Sequence, residues 1–194
     1  MKTMLPFAAL AATLVAMPTV ASAQRAPGAI VVVVDSERVY RECNACRTAS
    51  AQLQSMVTSA QAREKALNAQ LQTEGTAIQT AANALGGKEP DAALKARAQA
   101  FETRRTAATQ ELSRLQNNVQ STQANVSRQI NARLGPVYSQ VMTARGANLA
   151  LDISATLASA SALDVTTDVL TALNAALPSV SVTPMAATAQ PKGR

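Results

Sequence analysis

The sequence feature that most constrains this chain is a long helical repeat that is interrupted only once. Between Ser50 and Arg145, apolar residues recur at alternating spacings of three and four, the seven-residue repeat of a coiled-coil seam. The interruption is the segment Gly86-Gly87-Lys88-Glu89-Pro90. So short a connection can only fold the second helix back along the first. The pattern therefore predicts an antiparallel helical hairpin over residues 50–145.

The predicted seam draws on both helices. Its apolar positions are Leu53, Val57, Leu67, Leu71, Ile78, Leu85, Leu94, Phe101, Leu112, Leu115, Val119 and Val126. Many of the remaining seam positions are Ala, which buries little area at ~25 cal/mol per Å². We therefore expect a loosely held and flexible hairpin, with a kink at Pro136 that is either a hinge or simply tolerated.

The antiparallel register predicts two ion pairs between the helices. When the second helix folds back from the Gly-Gly turn, Glu64 falls opposite Arg114 and Glu74 falls opposite Arg104. Exposed pairs of this kind contribute only ~0.2 to 1 kcal/mol each. They are therefore expected to help fix the register more than the stability.

The chain begins with the pattern of a secretory signal peptide. Lys2 is followed by an apolar stretch and then by Ala21-Ser22-Ala23, a small-residue cleavage site. Residues 1–23 are therefore predicted to be removed on export, and no later apolar run is long enough to span a bilayer. The predicted mature chain carries 17 basic and 12 acidic side chains, a net charge of +5.

Strand-like segments flank the hairpin. The run from Ala29 to Val34 is β-branched, and the pattern returns to strand at residues 148–153, with a weaker piece at 155–159. A Thr of the segment 164–167 is expected to cap a short amphipathic helix that ends before Pro178.

Two segments, 24–49 and 146–177, are therefore predicted to form a small β-rich body at the base of the hairpin, in an α+β fold that is mainly α. A body of this size is marginal alone and its short sheet leaves edges unpaired, so oligomerisation is expected. Residues 178–194 show no periodicity and are predicted to be a disordered tail.

Cys43-Asn44-Ala45-Cys46 is the one motif with catalytic precedent, because Cys-x-x-Cys is the spacing of thiol oxidoreductases. The motif is predicted to lie inside a helix start rather than after a strand of a thioredoxin-like unit. Cα atoms three apart on a helix are close enough for a local disulfide. A structural bridge, a cross-link between subunits, and redox or metal chemistry all remain open.

Other catalytic chemistry has little support in the sequence. The chain has no His, so neither a Ser-His-Asp set nor a Cys-His pair can form, and one chain cannot supply a usual zinc ligand set. No phosphate-binding Gly-rich loop is present, and Gly86-Gly87 is better explained as a turn. We therefore expect a non-enzyme without cofactors.

The hairpin carries most of the positive charge. A solvated face is one explanation, and attraction of anionic lipid heads or acidic client loops is the other. No nucleic-acid motif accompanies the charge, so nucleic acid is not an expected partner. The candidate contact residues are Arg63, Lys65, Lys88, Lys95, Arg97, Arg104, Arg105 and Arg114.

Taken in order, these segments resemble the Skp/OmpH family of periplasmic chaperones. The likeness covers roughly Ala29 to Leu177 and rests on three motifs. They are Asp-Ser-Glu-Arg-Val-Tyr after the first strand, Asn-Leu-Ala-Leu-Asp-Ile after the hairpin, and, most specifically, Asp-Val-Thr-Thr-Asp-Val-Leu at 164–170. Two features depart from the family. Cys43 and Cys46 are not a hallmark of it, and the hairpin helices here are rich in Ala and poor in Lys.

The resemblance implies a homotrimer in which a β-rich trimerisation body holds three helical tentacles around a cavity for unfolded outer-membrane proteins. It implies an ATP-independent holdase in the periplasm and no catalytic residues. The Lys-poor tentacles leave a specific lipopolysaccharide site unsupported. Two other functions remain open: a structural coiled-coil spacer or adaptor that binds one folded partner, and a thiol oxidoreductase that uses Cys43 and Cys46.

Overall fold

A computed structural model describes residues 28–185, in which a long helical hairpin stands on a small base. The elements are β1 (Val31–Val34), α1 (Ser36–Glu42), α2 (Asn44–Asn83), α3 (Ala92–Arg145), β2 (Leu149–Asp152) and α4 (Thr166–Ala176). The predicted α+β class, mainly α with an antiparallel hairpin, is confirmed. The predicted signal peptide, residues 1–23, lies outside the described residues.

The hairpin is formed by α2 and α3, which have 40 and 54 residues. At ~1.5 Å per residue they are about 60 and 80 Å long. Gly86 and Gly87 turn the chain with φ of 55° and 89°, the left-handed region in which glycine has no side chain to clash. Asp91 then caps α3, because its Oδ1 accepts a hydrogen bond from the Leu94 N–H at 2.8 Å.

The base is built on β1, which has a neighbour on each edge. On one side it pairs in parallel with β2, with Val31 opposite Leu149. On the other side the Val33 carbonyl accepts a hydrogen bond from the Val165 N–H at 2.9 Å. The predicted strand at 155–159 is wrong: a 3-10 turn covers Ile153–Ala155, and both edges of β1 are already occupied.

Burial is concentrated at the base of the hairpin. Val39, Val169 and Leu173 are fully buried there, together with a row of α3 residues from Val126 to Val141. Farther out, in the stretch 50–120, only Leu67 and Ala108 are buried. Each buried methylene contributes ~0.8 kcal/mol to stability. Because most buried apolar side chains lie at the base, the base is well packed and the outer hairpin is weakly packed.

The start of α4 differs from the prediction, whereas α3 continues past Leu134 as expected. Thr166 does not cap α4; its hydroxyl accepts a hydrogen bond from the Asp35 N–H at 2.9 Å instead. The Thr166 N–H donates to Asp164 Oδ1 at 2.8 Å. The helix α3 continues through Pro136, which is an interior residue of it.

The C-terminal segment also differs from its prediction. The tail was expected to be disordered from residue 178, but residues 178–185 lie along α3, where Val180 and Val182 pack against the core. The prediction is wrong for this part because four hydrogen bonds to α3 side chains hold its backbone. We call residues 178–185 the strap. Residues 186–194 lie outside the described residues.

Candidate functional site

One candidate surface is the apolar face beside β2. Leu149 and Leu151 alternate along β2 and therefore share one face, and Ile153 follows at the start of the 3-10 turn; each of the three is 37–41% exposed. Leu157 next to them is fully exposed. The second edge of β2 has no partner strand in the described chain. An exposed apolar face next to an open strand edge is a candidate association surface.

A second surface runs along the hairpin. Of the twelve predicted seam residues, Leu67 and Val126 are buried and the other ten are half-buried. Gly75 of α2 faces the ring of Phe101, since a Cβ built on Gly75 would lie 3.4 Å from the Phe101 Cζ. The two helices thus touch along the whole hairpin while burying few side chains completely.

Ion pairs cross the hairpin at two positions. The predicted pair of Glu74 and Arg104 is confirmed. The predicted pair of Glu64 and Arg114 is wrong, because Glu64 faces solvent and the neighbouring Arg63 pairs with Glu111 instead.

Arg63 and Glu111 form a two-point contact. The Arg63 Nε and Nη2 donate to the two carboxylate oxygens of Glu111 at 2.7 and 3.0 Å. This hydrogen bonding lowers the pKa of Glu111 and raises the pKa of Arg63. The carboxylate therefore stays ionised at neutral pH, and the contact is a charge-assisted one with fixed geometry.

All eight candidate basic residues are exposed, but they are not equally available. Four of them are engaged by carboxylates: Arg63 with Glu111, Lys95 with Glu89, Arg104 with Glu74, and Arg105 with Glu102. The other four form no ion pair within residues 28–185; they are Lys65, Lys88, Arg97 and Arg114. Attraction of an anionic partner therefore rests on this smaller set.

The two cysteines form a disulfide with a Cα–Cα distance of 5.1 Å. The motif does not lie inside a helix as predicted, because the chain breaks between α1 and α2 at Cys43. Cys43 caps α2, and its Sγ accepts a hydrogen bond from the Cys46 N–H at 3.1 Å. Both residues are buried, at 0% and 3% exposure. A buried disulfide offers little access for thiol exchange.

The sequence reasoning missed the contact between the strap and α3. Ser121, Asn125 and Gln129 of α3 hold the strap backbone, yet none of them was singled out as a candidate. A signal was present in the alternation of Val180, Ser181 and Val182 after Pro178, which is the period of an extended segment. It is too short to be distinguished from an irregular tail without knowledge of its partner helix.

Other kinds of site find no support in the described residues. Within residues 28–185, no group of three or more His, Cys, Asp or Glu side chains is arranged to hold a metal ion. No helix in this part of the chain is both long enough and apolar enough to cross a membrane.

The described chain combines a weakly packed hairpin, a small base with an open strand edge, and exposed apolar and cationic residues. The sequence profile of the family described as Outer membrane protein (OmpH-like) matches residues 30–173. This match covers more than half of the chain, so the chain belongs to the OmpH-like family. The comparison of the sequence with curated proteins finds no match.

The fold is similar to that of a solved structure. It is a crystal structure from Caulobacter crescentus CB15, described as that of a candidate outer membrane chaperone (OmpH-like), with a TM-score of 0.67. The similarity covers 86% of this chain and 96% of that chain, at 19% sequence identity. At this identity the likeness concerns the fold.

Proposed function

We infer that this chain is an ATP-independent holdase of the periplasm, which encloses unfolded outer-membrane proteins between the hairpins of a homotrimer and keeps them from aggregating. Membership of the OmpH-like family supports a chaperone role and a non-enzymatic one. The observation that carries the proposal is the hairpin, which is long and exposed and has only Leu67 and Ala108 buried between residues 50 and 120. Weak packing lets its two helices bend around a client.

The apolar face of β2 supports the homotrimer. Leu149, Leu151 and Ile153 lie beside the open edge of the strand, where a second copy of the chain can cover them. The base of one chain is also small, a size at which association commonly completes the core. Joining three hairpins to one body raises the effective concentration of weak binding surfaces without requiring a tight pocket.

The charges of the hairpin support transient contacts with anionic partners. Lys65, Lys88, Arg97 and Arg114 carry no ion pair in the described chain, so their charges are available to acidic client loops or to anionic lipid heads. Such contacts are screened within a Debye length of ~8 Å at physiological ionic strength. They therefore favour capture and still permit release.

The alternative of a thiol oxidoreductase is less well supported, because Cys43 and Cys46 are buried in the core and bonded to each other. A catalytic pair needs an accessible thiolate. A spacer that binds one folded partner remains the main alternative, and the two functions differ in what they bind. A holdase binds many unfolded chains, whereas a spacer binds a single folded surface.

The test is suppression of aggregation. A urea-denatured outer-membrane barrel protein is diluted into buffer with and without this protein, and light scattering is followed over time. We expect scattering to be suppressed at near one trimer per client, without nucleotide, while native mass measurement reports a trimer. Unchanged scattering, together with capture of one folded envelope protein, would contradict the holdase and favour the spacer.

A pair of matched variants separates assembly from folding. Leu151→Arg places a charge in the apolar face of β2, whereas Gln61→Arg adds the same side chain on an exposed position of α2. We expect Leu151→Arg to yield monomers with unchanged helical circular dichroism and poor suppression. Gln61→Arg should remain a trimer with wild-type activity. A trimeric Leu151→Arg variant would show that this face is not the interface.

A further inference from the structure

The strap is held on α3 by hydrogen bonds to its backbone. The Ser181 N–H donates to Gln129 Oε1 at 2.9 Å, and Gln129 Nε2 donates back to the Ser181 carbonyl at 3.0 Å. Asn125 Nδ2 donates to the Thr183 carbonyl at 3.0 Å. These amide side chains form hydrogen bonds only with backbone N–H and C=O groups of the strap. Every residue except Pro has both groups.

A fourth bond extends the same pattern, since the Met185 N–H donates to the Ser121 hydroxyl at 2.9 Å. The α3 residues are spaced by four and the strap residues by two. Four residues of helix rise ~6.0 Å and two residues of strand rise ~6.6 Å, so the two spacings match closely. We call the α3 set the polar stripe; it consists of Ser121, Asn125 and Gln129.

The side chains of the strap alternate in burial. From residue 180 to 183 the burial alternates: Val180 and Val182 are half-buried, whereas Ser181 and Thr183 are exposed and contact each other through their hydroxyls. The alternation ends there, because Pro184 is exposed and Met185 is half-buried. The strap therefore presents apolar residues to α3 and polar residues to water. This period of two is the pattern of strands in outer-membrane barrels, which alternate between a lipid face and a polar face.

Asn125 is the buried member of the polar stripe, whereas Ser121 and Gln129 are half-buried, and a buried amide is rarely left without a hydrogen-bond partner. Asn125 is 9% exposed, and its amide and carbonyl oxygen are satisfied by the strap and by Arg128. The extended segment that lies on Asn125 and accepts its hydrogen bond is supplied by the chain itself, tethered directly behind α4.

We propose that the polar stripe of α3 is a binding site for extended segments with alternating apolar and polar residues, and that the strap occupies this site as an internal competitor of the client. The proposal rests on the holdase function and names the client feature that is recognised. A tethered segment has an effective concentration near the millimolar range, so the strap excludes weak ligands and yields to a long client with several suitable segments.

The experiment measures binding of a labelled peptide to the full chain by fluorescence anisotropy. The peptide has the sequence of residues 179–185, and a second peptide of the same composition places its two valines together. The strap is released by the double variant Val180→Asp and Val182→Asp. The matched control, Ser179→Asp and Thr183→Asp, adds the same charge at exposed positions of the strap.

Release should raise the affinity for the alternating peptide by about ten-fold or more over both wild type and control, because the tethered competitor is lost. The second peptide should bind more weakly. Adding Asn125→Ala and Gln129→Ala to the released chain should remove the gain. Hydrogen exchange at the Ser181 and Met185 amides verifies release, since both are bonded only while the strap is docked.

Equal affinity in the released chain and wild type, or an unaffected gain after the two α3 substitutions, would overturn the proposal. The client assay is scored separately. If wild type suppresses aggregation but the peptide does not bind the released chain, the holdase stands and the site is wrong. If the peptide binds as expected but aggregation is not suppressed, the site for extended segments stands and the holdase function is wrong.

Discussion

Arg63 and Glu111 join the two helices of the hairpin through a two-point ion pair, with Nε–Oε1 and Nη2–Oε2 distances of 2.7 and 3.0 Å. The pair lies in the outer part of the hairpin, about one helical turn from Leu67 and Ala108, the two buried residues of the stretch 50–120. Its geometry constrains both the distance and the relative sliding of α2 and α3. Register in this region is therefore set by charge as well as by the seam.

The first prediction concerns this pair. Arg63→Glu or Glu111→Arg alone should lower the melting temperature, because each places like charges opposite one another, and the exchanged double variant should recover most of the loss. Thermal unfolding at low and high salt measures the coupling, which should weaken as salt increases.

The matched control uses Glu64→Arg and Arg114→Glu, adjacent positions that form no ion pair in the described chain. The two changes should be additive. Strong coupling in the control, or additive losses at Arg63 and Glu111, would mean that the helices are shifted relative to this structure.

The second prediction concerns pH. Hydrogen bonds from Ser154, above all from its side chain, and from Ser36 hold the pKa of Asp152 at about 2, below its ordinary value of 3.8. A lowered folded-state pKa contributes stability above pH 3.8, and this contribution is lost as pH falls from 3.8 towards 2. Asp152→Asn should therefore be less stable than wild type at neutral pH.

The difference between wild type and Asp152→Asn should shrink through this acid range. Urea unfolding from pH about 2 to 7 measures it, at fixed protein concentration because association shifts apparent stability. A difference that stays constant with pH would show that Asp152 acts through packing rather than through its charge.

The long elements could be predicted from the sequence because their signals are local. Gly86 and Gly87 mark the only interruption in a repeat that continues for many turns, so the hairpin follows from periodicity alone. The pair of Glu74 and Arg104 followed from the same register. The predicted pair of Glu64 and Arg114 was wrong because counting along two helices does not tell which of two neighbouring side chains faces the other helix. In the structure it is Arg63 that faces α3.

The missed features depend on contacts between distant segments. The strap is a short alternating stretch whose order depends on Asn125 and Gln129, more than fifty residues away. The break at Cys43 depends on its role as a helix cap, which competes with the helical pattern on both sides. The open apolar face of β2 was anticipated only as a need for association, without the residues that form it.

The third prediction concerns Thr122, whose hydroxyl is fully buried and has no hydrogen-bond partner. An unsatisfied buried hydroxyl destabilises the folded state, and Val has nearly the same shape without it. Thr122→Val should therefore raise the free energy of unfolding by ~1 kcal/mol. Thr122→Ala, which removes the same hydroxyl but leaves a void, should not gain this stability. A Thr122→Val variant that is no more stable than wild type would contradict the prediction and indicate that a bound water satisfies the hydroxyl.

The fourth prediction concerns the disulfide. It closes a loop of only a few residues, for which the chain-entropy relation gives about 2 kcal/mol. Replacing Cys43 and Cys46 together by Ala should cost about this amount of stability, while suppression of client aggregation should remain unchanged at a temperature where the variant is folded. Loss of suppression in a fully folded variant would instead give the two sulfurs a functional role.

The last prediction concerns the stiffness of the hairpin. Gly75 lies in the interior of α2, where glycine costs ~1 kcal/mol relative to Ala. A Cβ there would lie 3.4 Å from the Cζ of Phe101, a half-buried ring whose outer end has room to adjust. Gly75→Ala should therefore stabilise α2 and slow hydrogen exchange in the outer hairpin, leaving exchange at the base unchanged. Faster exchange would mean that the new methyl group displaces Phe101, and exchange should then slow again in the double variant Gly75→Ala and Phe101→Leu, because the smaller side chain relieves that contact.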